Sequence, residues 1–332
     1  MPDPPPTDRR NFSFSTPSRL RYHRHVLTVH TLDQLSTLEP PLHLALGFFD
    51  GVHIGHQAVI RRAVDAARQN GGMAGVVTFD PHPCYLTNPA NVPASLVANL
   101  DHKARIIEGL GIHLFVPLQF DLAMSKTPAE AFIACLTAAR VRTIAVGEDW
   151  RFGCGRLGDV EMLRTHASKG AFSVEAVPMV MIDGERVSST RIRQAIRDGA
   201  LPQAARMLGR PYSIREKVIQ GRKLASQMGF PTANLAPGHA LTPPDGVWAV
   251  HVTADTGENL AGIANLGIRP TVDGTTRILE VHLFDYDANL YDRELEVRFE
   301  HFLRPEIRFG SIEELRQQIA ADAVVGRQLL AP

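Results

Sequence analysis

Cysteine is scarce in this chain: Cys84, Cys135 and Cys154 are the only three in 332 residues, and they lie far apart. That number and spacing suit neither a disulfide framework nor a cysteine metal site, and a reducing cytoplasm is the expected setting. Long apolar runs are also missing. No stretch approaches the ~18 residues that a membrane helix needs, so no membrane partner is expected. Excess charge is absent too, because 35 Lys and Arg stand against 35 Asp and Glu. With no net field to recruit a polyanion, no nucleic-acid partner is expected. The P-loop pattern G-x-x-x-x-G-K-[ST] does not occur, so any nucleotide site is of another kind. The first 24 residues hold Pro, Ser and Arg but no apolar segment, and read as a disordered leader. No internal repeat is visible.

What is present is enough apolar material, 44% of residues, for packed cores, and a length that favours two domains. From 42 to about 199, apolar runs alternate with amphipathic stretches. Strands are expected over 42–49, 74–79, 113–117, 143–147 and 172–177, with helices over 58–69, 99–110, 128–139, 160–169 and 190–198. Continuous apolar strands between helices predict a doubly wound parallel α/β sheet, with ligand at the carboxyl ends of the strands. After Gly209-Arg210-Pro211 the pattern changes. Strand character over 214–219, 247–252, 260–265, 277–284 and 295–302, broken by Gly, Pro and Asx turns, predicts an antiparallel barrel or sandwich. One closing helix is expected, with Ser311 and Glu314 as a capping box and Ile312, Leu315 and Ile319 as its apolar face. The division predicted is a leader at 1–24, a first domain at 25–200 and a second at 201–332.

The most informative segment is Gly47-Phe48-Phe49-Asp50-Gly51-Val52-His53-Ile54-Gly55-His56-Gln57, at the end of an expected strand and the start of an expected helix. A helix N-terminus carries free N–H groups and partial positive charge, and so attracts phosphate. Histidines three apart share one helix face, and both can reach one phosphate chain. The element resembles the H-x-G-H of nucleotidyltransferases, which attack the α-phosphate of ATP. Three further stretches lie at or near strand ends. Thr78-Phe79-Asp80-Pro81-His82-Pro83 is a rigid turn. Gly147-Glu148-Asp149-Trp150-Arg151-Phe152-Gly153, running on to Arg156-Leu157-Gly158-Asp159, brings acids, two cations and two rings together, which suits a ring to stack on and phosphate to pair with. Val187-Ser188-Ser189-Thr190-Arg191-Ile192-Arg193 caps a helix and puts arginines in its first turn. Arginine there is unfavourable for the helix dipole, which points to an anionic ligand.

These four stretches, in this order and spacing, resemble the FMN adenylyltransferase module of bacterial bifunctional riboflavin kinase/FAD synthetases. The resemblance implies that Gly47, Phe48, Asp50, His53, His56, Ser189, Thr190 and Arg191 surround the ATP phosphates, with His53 and His56 catalytic. It also implies that Asp80, Pro81, His82, Asp149 and Arg151 border the FMN and adenine. Trp150 stands where the family usually has Phe.

In the second half, Gly229-Phe230-Pro231-Thr232-Ala233-Asn234-Leu235 puts a hydroxyl and an amide two apart, on one side of an extended segment. Both oxygens can serve Mg²⁺ with its waters and phosphates. Period two puts Glu280, His282 and Phe284 on one face of their strand, where Glu280 could deprotonate a substrate hydroxyl. With Asp245–Ala249, Asn265–Thr271 and Phe302–Pro305, these segments resemble the riboflavin kinase module of the same enzymes. The resemblance implies a six-stranded Greek-key barrel, ATP at Gly221, Lys223, Gly229, Pro231, Thr232 and Asn234, with the last two at the metal. It implies Glu280 as catalytic base and Arg304 and Phe309 beside the flavin. Ala225 and Ser226 depart from the usual Gly and Arg. The implied substrates and products are riboflavin, FMN, ATP and FAD, with Mg²⁺. The alternatives are a single-activity adenylyltransferase whose second module only binds flavin, and a non-catalytic flavin-binding protein.

Overall fold

The computed structural model describes residues 21–23, 26–87, 95–221, 229–238, 240–271 and 274–331. Most of the expected leader lies outside these residues, as do Lys223, Ala225, Ser226 and Asp273.

The first half is built on strands β1 (Arg21–His23), β2 (Val26–Thr28), β3 (Leu42–Leu46), β4 (Met73–Asp80), β5 (Leu114–Gln119), β6 (Val141–Gly147) and β7 (Ser173–Val177). Their spatial order is β1-β2-β5-β4-β3-β6-β7. From β2 to β7 every neighbour is parallel, and only the edge pair β1–β2 is antiparallel. The parallel interior follows from strands such as β3, buried at all five positions, which have no polar face to show water. Helices α1 (Leu32–Leu35), α2 (Ile54–Asn70), α3 (Cys84–Thr87), α4 (Leu100–Glu108), α5 (Leu122–Ser125), α6 (Ala129–Ala138), α7 (Val160–Ala167), α8 (Ser189–Arg197) and α9 (Leu201–Leu208) follow in order. They enclose two apolar clusters, one on each face of the sheet. A hairpin, β8 (Met181–Ile182) and β9 (Glu185–Arg186), precedes α8.

Two expectations need correction. Residues 21–23 were assigned to the leader but form β1, pairing with Val26–Thr28. A strand of three residues is too short to show a period in the sequence. The strand expected over 42–49 stops at Leu46. Beyond it Phe49 and Val52 take the left-handed conformation, with φ of 55° and 43°, and the chain leaves the sheet as a tight turn.

The second half is a closed antiparallel barrel of order β10-β11-β14-β13-β12-β15. Its strands are β10 (Ser213–Ile219), β11 (Ala233–Leu235), β12 (Gly246–Ala254), β13 (Asn259–Thr271), β14 (Gly274–Leu283) and β15 (Glu294–Arg304). The jump from β11 to β14 makes it a Greek key. β11 was not anticipated as a strand, because its three residues lie inside the G-F-P-T-A-N-L turn motif. Helix α10 (Ile312–Leu329) packs outside, against β12, β13 and β15. The Ser311 side chain caps it as expected, but Glu314 bonds the N–H of Gly310 rather than that of Ser311. Ile312, assigned to the apolar face, is exposed. One apolar cluster runs from Ile192 and Ile196 of α8 through Met207 and Leu208 of α9 to Trp248, Val250 and Leu279 of the barrel. Packing therefore continues across residue 200. Among the described residues no helix is long and apolar enough to cross a membrane.

Candidate active sites

The turn after β3 sits at the carboxyl edge of the sheet, where ligands of doubly wound folds bind. Its backbone does not continue into α2 directly. A short 3-10 turn, Asp50–Val52, comes first, and His53 becomes the N-cap of α2 instead of a first-turn residue. The His53 Nδ1 accepts from the backbone N–H of His56 at 3.2 Å. That bond assigns the His53 ring proton to Nε2. The two rings stack, with centroids 3.5 Å apart. His56 also meets the edge of Phe49, and its Nδ1 is buried without a partner. Across the site, His82 Nδ1 accepts from the N–H of Cys84 at 3.0 Å, and its ring lies 3.9 Å from Phe48.

These histidines are neutral at pH 7. Burial, then the charge of Arg186, lowers His53 to about 4. Burial, then the neighbouring His53, holds His56 well below the ordinary value. Burial, then Arg193, lowers His82 to about 4. Positive charge at the site comes instead from arginine. Arg186 reaches Asp149 at 2.6 Å, and Arg193 reaches Asp50 at 2.7 Å. Asp50 is only 2% exposed. Burial raises its carboxyl above the usual range, and the charges of Lys103 and Arg193 oppose that shift. Lys103 is likewise 2% exposed. It donates to the Phe48 carbonyl at 2.9 Å and lies 4.2 Å from the centre of the Phe48 ring. Burial lowers it to about 8, while Asp50 and Asp80 pull it upward.

The three histidines, Phe48, Phe49, Asp50, Asp149, Arg186 and Arg193 line a cavity of about 520 Å³, with Lys103 packed behind Phe48. Of the residues anticipated from sequence, Gly47, Phe48, Asp50, His53, His56, His82, Asp149, Ser189 and Thr190 face it. Asp80, Pro81, Arg151 and Arg191 do not. Arg151 is spent on Asp159 at 2.8 Å. Arg191 bonds the carbonyls of Glu185 and Arg186 and the Glu185 carboxylate, which ties down the β8–β9 hairpin. Helix phase explains this. Ser189 and Arg193 are four apart and share a face of α8, whereas Arg191, two from either, points away. Arg186 and Lys103 were not anticipated as site residues, whereas Arg156 and Arg193 lie in the two stretches expected to meet phosphate or another anion. Two signals were available: the Asp183-Gly184 hairpin turn before Arg186, and a lysine inside the apolar stripe Leu100, Lys103, Ala104, Ile107 of α4.

A pH prediction follows from His53, which is 6% exposed. Its folded value, about 4, lies below the unfolded value of 6.5. Between these the unfolded chain binds more protons, so this contribution to stability is complete above pH 6.5 and declines as pH falls toward 4. From that residue alone, about 2–3 kcal/mol should be lost between pH 7 and 4.5. Urea midpoints at the two pH values measure it, and equal midpoints would contradict a buried neutral ring. Glu296 does not interfere. A hydrogen bond from His102 lowers it to about 2, so its contribution is lost only below the usual carboxylate range.

The second site lies on the outer face of the barrel. Register puts Asn234 of β11, Glu280 of β14 and Asn265 of β13 side by side across three adjacent strands. Glu280 lies 3.5 Å from the Arg269 Nε, and Arg269 and Asn265 both bond Glu306, at 3.3 and 3.1 Å. Next to this row is a cavity of about 300 Å³, lined by Gly221, Pro231, Thr232 and Asn234 on one side and by residues 286–291 on the other. A Cβ at Gly221 would collide with the Asn234 amide, so glycine is required there. Gly229, with φ of 85°, shapes the turn but does not line the cavity. Glu280 is beside the cavity rather than in it. Arg304 pairs with Asp322 of α10 at 2.7 Å and lies 5.9 Å from the Phe309 ring, away from the cavity. Asn265, Arg269 and Glu306 were not anticipated as a group, since only the ladder register joins them. Among the described residues no cluster of His, Cys, Asp and Glu could hold a metal ion by itself.

Residues 36–191 match the FAD synthetase family, and residues 208–330 match the riboflavin kinase family. A bifunctional riboflavin kinase/FMN adenylyltransferase of Pseudomonas fluorescens is 40% identical over 290 residues, covering 86% of this chain and 92% of that one. The chain belongs to the bifunctional riboflavin kinase/FMN adenylyltransferase family. The protein of the same description from Escherichia coli K12 is 37% identical over 287 residues, 86% of this chain and 91% of its own. A crystal structure titled as a macrolide-efflux protein from Streptococcus pneumoniae is 30% identical and covers 90% of this chain and 98% of its own, with a TM-score of 0.77. Family membership puts two transferase activities on one chain: the α/β half carries the FMN adenylyltransferase and the barrel carries the riboflavin kinase.

Proposed function

We propose that the 520 Å³ cavity at the head of α2 is the adenylyl-transfer site, and that the outer barrel face around Glu280 is the site of riboflavin phosphorylation. The observation that carries the first assignment is a stacked pair of neutral histidines at a helix N-terminus, faced by Arg186 and Arg193.

Adenylyl transfer needs no protein nucleophile. An FMN phosphate oxygen attacks the α-phosphorus of ATP, the new P–O bond forms, the α–β bridge breaks and pyrophosphate leaves. The protein aligns the two anions and neutralises growing charge. His53 Nε2–H and His56 act as neutral donors to phosphate, and the α2 N-terminus adds its dipole. Arg186, Arg193 and Arg156 supply the cationic charge, with Ser189 and Thr190 at the head of α8. His82 and Asp149 border the nucleotide or flavin. Asp80, Pro81, Arg151 and Arg191 act as framework around them.

In the kinase half, Glu280 takes the proton of riboflavin's primary hydroxyl, whose oxygen attacks the γ-phosphorus while ADP leaves. Gly221, Pro231, Thr232 and Asn234 line the ATP cavity, Gly229 shapes the turn that leads to it, Lys223 contributes charge to the ATP, and Arg304 and Phe309 border the flavin. The Thr232 hydroxyl and Asn234 amide are hard oxygen donors facing the cavity, a set that suits Mg²⁺ completed by phosphates and water. Mg²⁺ so held would neutralise the phosphate charge. The three free cysteines suit a reducing cytoplasm.

Incubating the whole chain with riboflavin and Mg-ATP, and separating flavins over time, should show FMN first and FAD after it. FAD from supplied FMN, with no FMN from riboflavin, would leave only the adenylyltransferase reading. The boundary near residue 201 predicts that a chain of residues 201–332 makes FMN but no FAD. It should also melt earlier, because the cut removes Ile192 and Ile196 from the shared cluster. A folded but inert fragment would refute independence of the kinase half.

A further inference from the structure

Every carbonyl of the turn from Phe48 to Val52 has a donor. Phe48 receives Lys103 Nζ at 2.9 Å and the Thr78 hydroxyl at 2.7 Å. Phe49 receives the Val52 N–H at 3.1 Å, and Asp50 receives the Ser189 hydroxyl at 3.1 Å. Gly51 receives Arg210 Nη2 at 2.8 Å. Val52 receives Arg210 Nη1 at 3.2 Å and the Gln57 amide at 3.0 Å. Val52, at φ 43°, is β-branched in a left-handed conformation, which persists only when its surroundings over-determine it. Its carbonyl is held from two directions, and the next residue is His53.

Arg210 stands out in this set because it belongs to the other activity. It lies inside the riboflavin kinase match, three residues before that barrel's first strand begins at Ser213. All three of its hydrogen bonds go to backbone carbonyls: Gly51, Val52 and Leu208. Burial lowers the guanidinium to about 10, opposed by the charge of Glu296, and its hydrogen bonds go to carbonyls. Leu208 and Gly209 dock on the same spot. The Leu208 carbonyl takes Gln57 Nε2 at 2.8 Å, and a Cβ at Gly209 would come within 2.9 Å of Ile54. The lead-in to the barrel is thus seated on the two residues that flank His53.

We propose that Arg210 is a positioning residue for adenylyl transfer: from the kinase side of the chain it holds the Gly51 and Val52 carbonyls, and through them the orientation of His53 and His56 toward the phosphates. This rests on the reading of the cavity as the adenylyl-transfer site. A fork of two donors suits two adjacent carbonyls, and lysine cannot reproduce it. Misplacement of a reacting geometry by about 1 Å can cost ~10²-fold in rate.

The test uses the full chain as wild type, Arg210→Met and Arg210→Lys, with His56→Ala in parallel. Conversion of FMN to FAD and of riboflavin to FMN is measured on the same preparations. Arg210→Met should lower kcat for FAD formation by about 10- to 100-fold, leave KM for ATP within about threefold, and keep the kinase rate within about twofold. Arg210→Lys should fall between it and wild type. The proposal is overturned if Arg210→Met makes FAD within about twofold of wild type, or if both activities fall by the same factor. If Arg210→Met does not fold, Arg210→Lys decides: FAD formation at the wild-type rate overturns the proposal, and a selective drop supports it. Undiminished FAD synthesis by His56→Ala would overturn the cavity reading itself, a result separable from either Arg210 variant.

Discussion

Glu280→Gln should lower riboflavin phosphorylation by about 10²–10⁴, the usual cost of a lost general base, while supplied FMN is still converted to FAD. A primary alcohol is a poor nucleophile at neutral pH, so a carboxylate next to the proposed ATP cavity has a clear task. The variant preserves shape and removes the proton acceptor. The barrel should tolerate it, because Arg269 keeps Glu306 as partner at 3.3 Å, and Glu280 is not fully buried. ATP binding should change little, since Thr232 and Asn234 remain. FAD formation is spared because its nucleophile is already an anion and its cavity lies in the other half. Single-turnover phosphorylation measures the effect. A normal rate would move the base elsewhere, with Glu306 the next acid to replace. Asp285 is less suited, since both its oxygens are taken by Arg327 at 2.6 and 2.9 Å.

His56→Ala should remove most FAD synthesis and leave riboflavin phosphorylation intact. Loss of one preorganised donor to developing phosphate charge typically costs about 10²–10³ in kcat. His56 does two things. It lines the cavity, where it is proposed to donate to phosphate, and its ring supports that of His53 at 3.5 Å. His56 is half-buried and its ring packs on His53 and Phe49, so some loss of stability should accompany the substitution. The kinase rate of the same preparation is the internal control for folding. FAD synthesis within about twofold of wild type would reduce the pair to a capping arrangement.

The accuracy of the sequence reading varied with the range of the signal used. Strand–helix alternation and the switch to short turn-broken strands after Pro211 are local periodicities, and both halves have the expected architecture. The histidine turn was recognisable because His53, Gly55 and His56 are contiguous. Spacing failed where two nearby residues of one type compete. Arg191 and Arg193 lie in the same helix turn, and only the phase of α8 against the β8–β9 hairpin sends Arg193 to the cavity and Arg191 to the carbonyls of Glu185 and Arg186. It failed again for Glu280, whose companions Asn234, Asn265 and Arg269 come from other strands.

The sequence by itself determined that this chain has two parts, a parallel α/β half and an antiparallel β half. It also singled out His53–His56 and the segment from Thr232 to Glu280, the residues on which the proposed chemistry centres. Those facts are written in periods of 2 and 3.6 residues and in contiguous motifs, which need no knowledge of what packs where. The tertiary structure alone decided which cations face the cavity at the head of α2, that Lys103 lies beneath Phe48, and that Arg210 reaches across to the turn before His53. Each of these depends on a hydrogen bond between residues far apart in sequence, 55 for Lys103 and Phe48 and 159 for Arg210 and Gly51. Such contacts arise from how finished elements dock, and no local pattern encodes the docking.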